Sequence, residues 1–246
     1  MGVMATHRIF VPDLYRGIVD LSPNEAHHTH AVMRLKSGDA VELFDGKGTV
    51  GTGTIQGASK RTCSVEVSEI KRVERSSTNH LTLAMAMPKS PRHSFLFEKC
   101  TELGVGAILP VTFDRSVVKT SSSGIKKWQR TIVEAAKQCR TAYLPEILEP
   151  LRFKDAAGTI ATDAMQLICD PSANAKVTDQ IRALRAGQNC TVWIGPEGGM
   201  TDAEVEHLSA QGAIKVALGA NILRIETAAI AVAAVFALQT DQSLAG

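Results

Sequence analysis

Three glycines surround a Pro-Glu pair in the run Trp193-Ile194-Gly195-Pro196-Glu197-Gly198-Gly199. A second run begins at Leu218-Gly219 and continues through Asn221, Ile222, Leu223 and Arg224 to Glu226. Glycine has no Cβ, so the amides and carbonyls of such runs can come directly against a planar or polar ligand. Pro196 stiffens the first turn. Each run leaves an apolar, strand-like stretch and enters a helical pattern, the arrangement by which α/β proteins build pockets at the carboxyl ends of parallel strands. A phosphate-cradling loop would need a Gly-Lys-Ser/Thr ending, and a dinucleotide site would need its own glycine fingerprint; neither is present. The Gly-x-Ser-x-Gly elbow of a serine hydrolase is also missing.

The elements around these runs read as two textures. Residues 1–72 are mostly strand. An alternating stretch at 39–44 reaches the tight-turn pair Asp45-Gly46, a glycine-threonine strand follows, and 63–70 alternates again, which predicts a small β-barrel. Before it, Ser22-Pro23-Asn24-Glu25 reads as a capped helix start running through Met33. The polar stretch 71–79 is the expected linker, so residues 1–72 and 73–246 are taken as two domains. From residue 80 strands and helices alternate, which predicts a mainly parallel sheet covered on both faces. Strands are expected at 81–87, 107–111, 165–169, 191–194 and 214–218. Helices are expected at 91–103, 126–139 and 177–185, from a Thr201-to-Glu204 capping box, and from about Glu226 onward.

Composition narrows the class. The chain has 246 residues, 44% hydrophobic and 21% charged, which is ordinary for a globular protein. The longest apolar stretch, 228–238, is too short to span a bilayer, and the first residues lack the pattern of a secretory signal. Five scattered cysteines argue against a disulfide framework, and a reducing cytoplasm is the expected compartment. His27, His28 and His30 have no cysteine or acidic partner at metal-ligand spacing, so no metal is expected. Residues 76–140 hold ten Lys/Arg against four Asp/Glu, whereas 1–75 hold ten against nine and 141–246 seven against twelve. Such focusing is either a footprint for a phosphate backbone or a solvated helix face.

Taken together, Gly195-Pro196-Glu197-Gly198-Gly199 and Leu218-Gly219-x-x-Ile222-Leu223-Arg224-x-Glu226-Thr227-Ala228 resemble the signature of the ribosomal small-subunit RNA methyltransferase E family, within the SPOUT superfamily. Pro88-Lys89, the segments 98–105, 115–119 and 134–139, and His28, Val32-Met33-Arg34 and Leu43-Phe44-Asp45-Gly46 match that family in order. The resemblance implies an N-terminal PUA-like RNA-binding β-barrel and a C-terminal SPOUT α/β domain with a parallel sheet and a trefoil knot. It implies a homodimer that transfers a methyl group from S-adenosylmethionine to N3 of a uridine in the decoding region of 16S rRNA, in the small ribosomal subunit.

By the same resemblance, Ile194, Gly195, Pro196, Glu197, Gly198, Gly199, Leu218, Gly219, Asn221, Ile222 and Leu223 hold the cofactor, mostly through backbone. Arg224 either orients the pocket or the target base, or pairs with Glu197 or Glu226; Glu226 is the second catalytic candidate, or a helix cap. Arg8, Arg34, Lys89 and Arg140 are the RNA-contact candidates. Many family members carry arginine where Asn221 and Thr141 stand, and Arg140 can take over the work of the latter. Two rival readings share the fold: an RNA-binding or ribosome-assembly factor without catalysis, and a SPOUT enzyme acting on another RNA. Two intact bare-backbone turns favour the enzyme.

Overall fold

The computed structural model describes residues 7–59, 61–75, 77–118, 124–160 and 163–240. Two compact units emerge: Met1–Arg75 with Ala136–Leu144, and Ser76–Ala135 with Pro145–Gly246. The single cut expected at 72/73 therefore misses a return of the chain to the first unit. That return begins inside a helix, where no polar linker marks it.

In the first unit, β1 (His7–Phe10), β2 (Gly17–Asp20), β3 (Ala40–Phe44), β4 (Thr49–Ala58) and β5 (Cys63–Arg72) form one sheet in the order β1-β3-β4-β5-β2. The β1–β3 ladder is parallel and the other three are antiparallel. Ile9, Val19, Val41, Leu43, Ile55, Val65 and Val67, drawn from all five strands, share one buried core. A sheet whose strands all face one core has to curl, and two register shifts between β4 and β5 supply bending. Gly53 lies at one of them, where a Cβ would press against the Glu66 carbonyl. Ser22 caps α1 (Pro23–His27) by accepting from the Glu25 amide, but the helix passes into a π turn over His28–Val32 in place of the regular helix expected to Met33. The Glu25 side chain does not complete a capping box; it is buried and pairs with Lys137 at 2.6 Å.

In the second unit every ladder is parallel. β6 (Leu81–Met85), β7 (Ala107–Thr112), β8 (Glu146–Ile147), β10 (Met165–Cys169), β11 (Cys190–Ile194) and β12 (Ile214–Val216) lie in the order β12-β10-β11-β6-β7-β8, and β9 (Leu151–Arg152) pairs with β7. Residues of β11 are buried along its whole length, as a central parallel strand requires. The helices are α2 (Arg92–Glu102), α3 (Ile125–Cys139), α4 (Phe153–Ala157), α5 (Val177–Arg182), α6 (Asp202–Ala210) and α7 (Ile225–Thr240). The last turn of α3 belongs to the first unit. β8, β9 and α4 are too short to leave a periodic signal and were not expected. Among the described residues no helix is long and apolar enough to cross a membrane. All five cysteines are free thiols.

Candidate active site

Three neighbouring strands, β12, β10 and β11, point their carboxyl ends at one cavity of about 470 Å3, inside the roughly 300–1,000 Å3 range of small-molecule clefts. Ile194, Gly195, Pro196, Glu197, Gly198 and Gly199 form one wall; Leu218, Gly219, Asn221, Ile222, Leu223 and Arg224 form the facing one. Thus the two glycine runs, distant in sequence, meet because β10 brings β11 and β12 to either side of itself.

The first loop is held in shape by contacts that its sequence only partly discloses. The Gly199 amide donates to the Pro196 carbonyl at 2.8 Å, and Gly199 has φ +71, a conformation that favours glycine. A Cβ at Gly195 would stand 3.0 Å from Cγ of Met200 and 3.1 Å from its amide nitrogen. Arg115 donates to the Gly198 carbonyl at 3.1 Å. Just beyond the loop, Thr201 and Glu204 form the expected capping box of α6, contributing about 1 kcal/mol. The buried Glu204 carboxylate also accepts from the Asp114 amide at 2.9 Å, so one side chain ties the helix start to the loop after β7. Lys119, the end of the 115–119 segment, lies outside the described residues.

The second loop is more open. Gly219 has φ +153, and the Ile222 side chain is 85% exposed despite lining the cavity. Arg224, the one Lys or Arg on the cavity wall, forms no ion pair among the described residues. Its alternative role, a salt bridge to Glu197 or Glu226, is therefore not what the structure contains.

Glu226 has a partner in a neighbouring helix. It is buried at the start of α7, does not line the cavity, and faces Nε of Arg92 at 3.3 Å. Its second oxygen has no hydrogen-bond partner. The arrangement ties the first turn of α7 to the first turn of α2.

Cys169, Asp170, Pro171 and Met200 also line the cavity and were not anticipated. Asp170 was findable: it directly follows β10, and ligands gather at carboxyl ends of parallel strands. Hydrogen bonds from the Ser172 hydroxyl and amide, with Lys215 at 3.6 Å, hold its carboxyl below the usual carboxylate range against the opposing effect of burial. Asp170 is thus an anion on the cavity wall. Cys169 and Cys190 are pushed up to about 12, chiefly by burial, which keeps both as neutral thiols.

Of the four RNA-contact candidates, Arg8 and Arg140 meet on Glu42. Arg8 is only 5% exposed, pairs with Glu42 at 2.8 Å, donates to the Ala136 carbonyl at 2.9 Å and lies 4.2 Å from the centroid of Phe44. Burial lowers its pKa below the arginine norm, and the Glu42 carboxylate opposes that loss. Arg8 is therefore a core tether. Arg140 is exposed and shares Glu42, at 2.7 Å. Arg34 is exposed beyond the π turn. Both Arg34 and Arg140 have positive φ, 58° and 61°, at helix ends where glycine is the usual residue. Lys89 is exposed after β6 in the second unit and lies off the cavity wall.

With the geometry in place, the comparisons assign the family. Residues 74–237 match the model of an RNA methyltransferase domain, and 21–68 match that of an RNA methyltransferase PUA domain. The chain is 30% identical to ribosomal RNA small subunit methyltransferase E of Synechocystis sp. over 92% of this chain and 75% of that protein. The chain belongs to the ribosomal RNA small subunit methyltransferase E family. The Bacillus subtilis member is 29% identical, with 90% of each chain covered. A solved methyltransferase of Legionella pneumophila with bound S-adenosylmethionine superposes with a TM-score of 0.86 at 30% identity, over 95% of this chain and 97% of the other. The Neisseria gonorrhoeae family member, also solved with S-adenosylmethionine, gives 0.83 at 29%, over 93% and 95%. The family fold, a PUA-like unit followed by a parallel-sheet SPOUT unit, is the fold described above.

Proposed function

We propose that this chain binds S-adenosylmethionine in the cavity between its glycine loops and methylates N3 of a uridine in the decoding region of 16S rRNA. One observation carries the reading: both glycine loops, the second ending in Arg224, line a single cavity in a member of an rRNA methyltransferase family. The residues fit the cofactor. Bare backbone at Gly195, Gly199 and Gly219 suits a flat adenine and ribose, while Asp170 and Glu197 are the anions available to a ligand bearing a sulfonium and an ammonium group.

The cofactor supplies an electrophilic methyl group. The protein must do the rest. A uridine imide is a weak nucleophile until it loses its proton, and the negative charge then spreads over the flanking carbonyls. Arg224, exposed, on the cavity wall and without an ion pair among the described residues, is the group this reading assigns to stabilise that charge. The loops hold donor and acceptor in line, which contributes by orientation. N3 lies on the pairing edge, so the base has to be extruded or unpaired to enter.

The trefoil knot and the homodimer belong to the same proposal. Membership in the family supports the knot. α7 supports a second copy: Ile230, Ala231, Ala234 and Val235 are half-exposed and Leu238 is 70% exposed, a wholly apolar stripe at helical spacing. Leu238→Glu should convert a dimer to monomers in light scattering; an unchanged mass would remove the stripe from the interface. A cytoplasmic location follows from the ribosomal substrate.

The function is tested by incubating the protein with labelled S-adenosylmethionine and small ribosomal subunits from cells lacking the endogenous enzyme, then mapping the modified nucleoside. We expect one methyl group per subunit, on N3 of a uridine. Absence of both incorporation and cofactor binding would leave an RNA-binding factor. Methylation of tRNA in preference to subunits would move the acceptor to another RNA.

A further inference from the structure

Tyr143 sits in the 136–144 segment of the first unit, where three stretches of chain are stitched together. Lys47 forms an antiparallel bridge with Tyr143, the Gly48 amide donates to the Ala142 carbonyl at 3.0 Å, and the Val73 amide donates to the Gly48 carbonyl at 2.8 Å. The Tyr143 hydroxyl donates to the Val73 carbonyl at 2.8 Å, and its ring occupies the space a Cβ on Gly48 would need. Over this fixed ring lie two guanidinium groups, Arg75 at 4.1 Å and Arg72 at 5.9 Å from the centroid.

Lys47 and Lys71 stand on the same scaffold, one in the β3–β4 turn and one paired with Val50 beside Arg72. All four cations are exposed, and none forms an ion pair among the described residues. The Glu74 carboxylate is the one exposed acid within 71–75, while Asp45 is occupied by the amides of Lys47 and Thr49. Arginines stacked on an aromatic face lose less side-chain freedom on binding and keep their N–H forks free at the edge.

We propose that Arg72 and Arg75, organised on Tyr143, form with the neighbouring exposed Lys47 and Lys71 a phosphate-backbone contact surface for the RNA substrate. Because Arg75 covers the ring, the surface reads phosphates and does not stack bases. The proposal rests on the RNA-methylating function above, and its test separates the two.

Affinity for an end-labelled 16S rRNA transcript is measured by anisotropy across a salt series for the wild type, Arg72→Gln/Arg75→Gln, Lys47→Gln/Lys71→Gln, and a control, Arg182→Gln/Arg185→Gln, that removes two exposed charges from the second unit. Each contacted phosphate contributes roughly 0.7–0.9 to the slope of log affinity against log salt, so each patch pair should make the slope shallower by about one to two units. The control should leave it unchanged. Two pairs of variants at separate positions guard against loss of fold in one. Unchanged slopes in both patch pairs with methyl transfer retained, or an equal change in the control, would overturn the surface while leaving the function standing. A wild-type protein that takes up S-adenosylmethionine and binds no RNA at any salt would overturn both.

Discussion

The cavity of the second unit and the Tyr143 surface of the first would hold their ligands by opposite means. In the cavity, side chains are removed so that backbone can approach, and Arg115 and Glu204 hold the loop and the helix start that follows it. On the surface, side chains are displayed, and a half-buried ring with a hydrogen-bonded hydroxyl keeps them in place. A backbone site tolerates little added volume, whereas a displayed site tolerates reshaping but not loss of charge.

Four substitutions would break or sharpen that contrast. The largest effect is expected for Arg224→Ala: turnover should fall about 10²–10³-fold, the scale of losing one preorganised charge stabiliser, while calorimetry shows cofactor affinity within a few-fold of wild type. An equal fall in cofactor affinity would mean that a side chain, not backbone, holds the cofactor. Next, Glu42→Ala leaves the buried Arg8 guanidinium without its counter-charge and should destabilise the protein by about 3 kcal/mol in urea unfolding. A change below about 0.5 kcal/mol would return Arg8 to the list of adaptable surface groups.

A smaller effect is expected at Gly195, where no functional atom is lost. Gly195→Ala crowds Met200, and cofactor affinity should drop about tenfold, or 1.4 kcal/mol, with the RNA salt slope unmoved. Wild-type affinity would show that the loop opens at no cost. The smallest change is expected for Arg34→Gly, which relieves a positive φ. Stability should rise by about 1 kcal/mol as RNA affinity weakens, and a variant that gains stability without losing affinity would make Arg34 a mere helix terminator.

Local patterns carried much of the second unit. Continuous apolar runs, a capping box and glycines past helix ends are signals within a few residues of what they specify, so α6 and β10 fall where their residues place them. β8 and β9, two residues each, are made by pairing with β7 and have no pattern of their own. The π turn over 28–32 likewise departs from the regular helix that Ser22 and Pro23 announce.

The same division runs through the functional sites. Residue type and spacing were enough to single out both glycine runs and Arg224, because a need for bare backbone is written in the glycines themselves. Whether a charge is used outwardly was not so written. Arg8 and Glu226 carry the residue types of contact and catalysis, and long-range packing pairs them with Glu42 and Arg92. The first 75 residues are nearly neutral by count, so no excess of charge pointed to a surface there. Arg72 and Arg75 share a ring, and Lys47 a backbone bridge, only because the chain returns at 136–144 and brings Tyr143 to them. The sequence by itself determined where backbone must be bare; the tertiary structure decided which charges are buried and which are gathered, because charge becomes a site only through neighbours that the chain brings from far away.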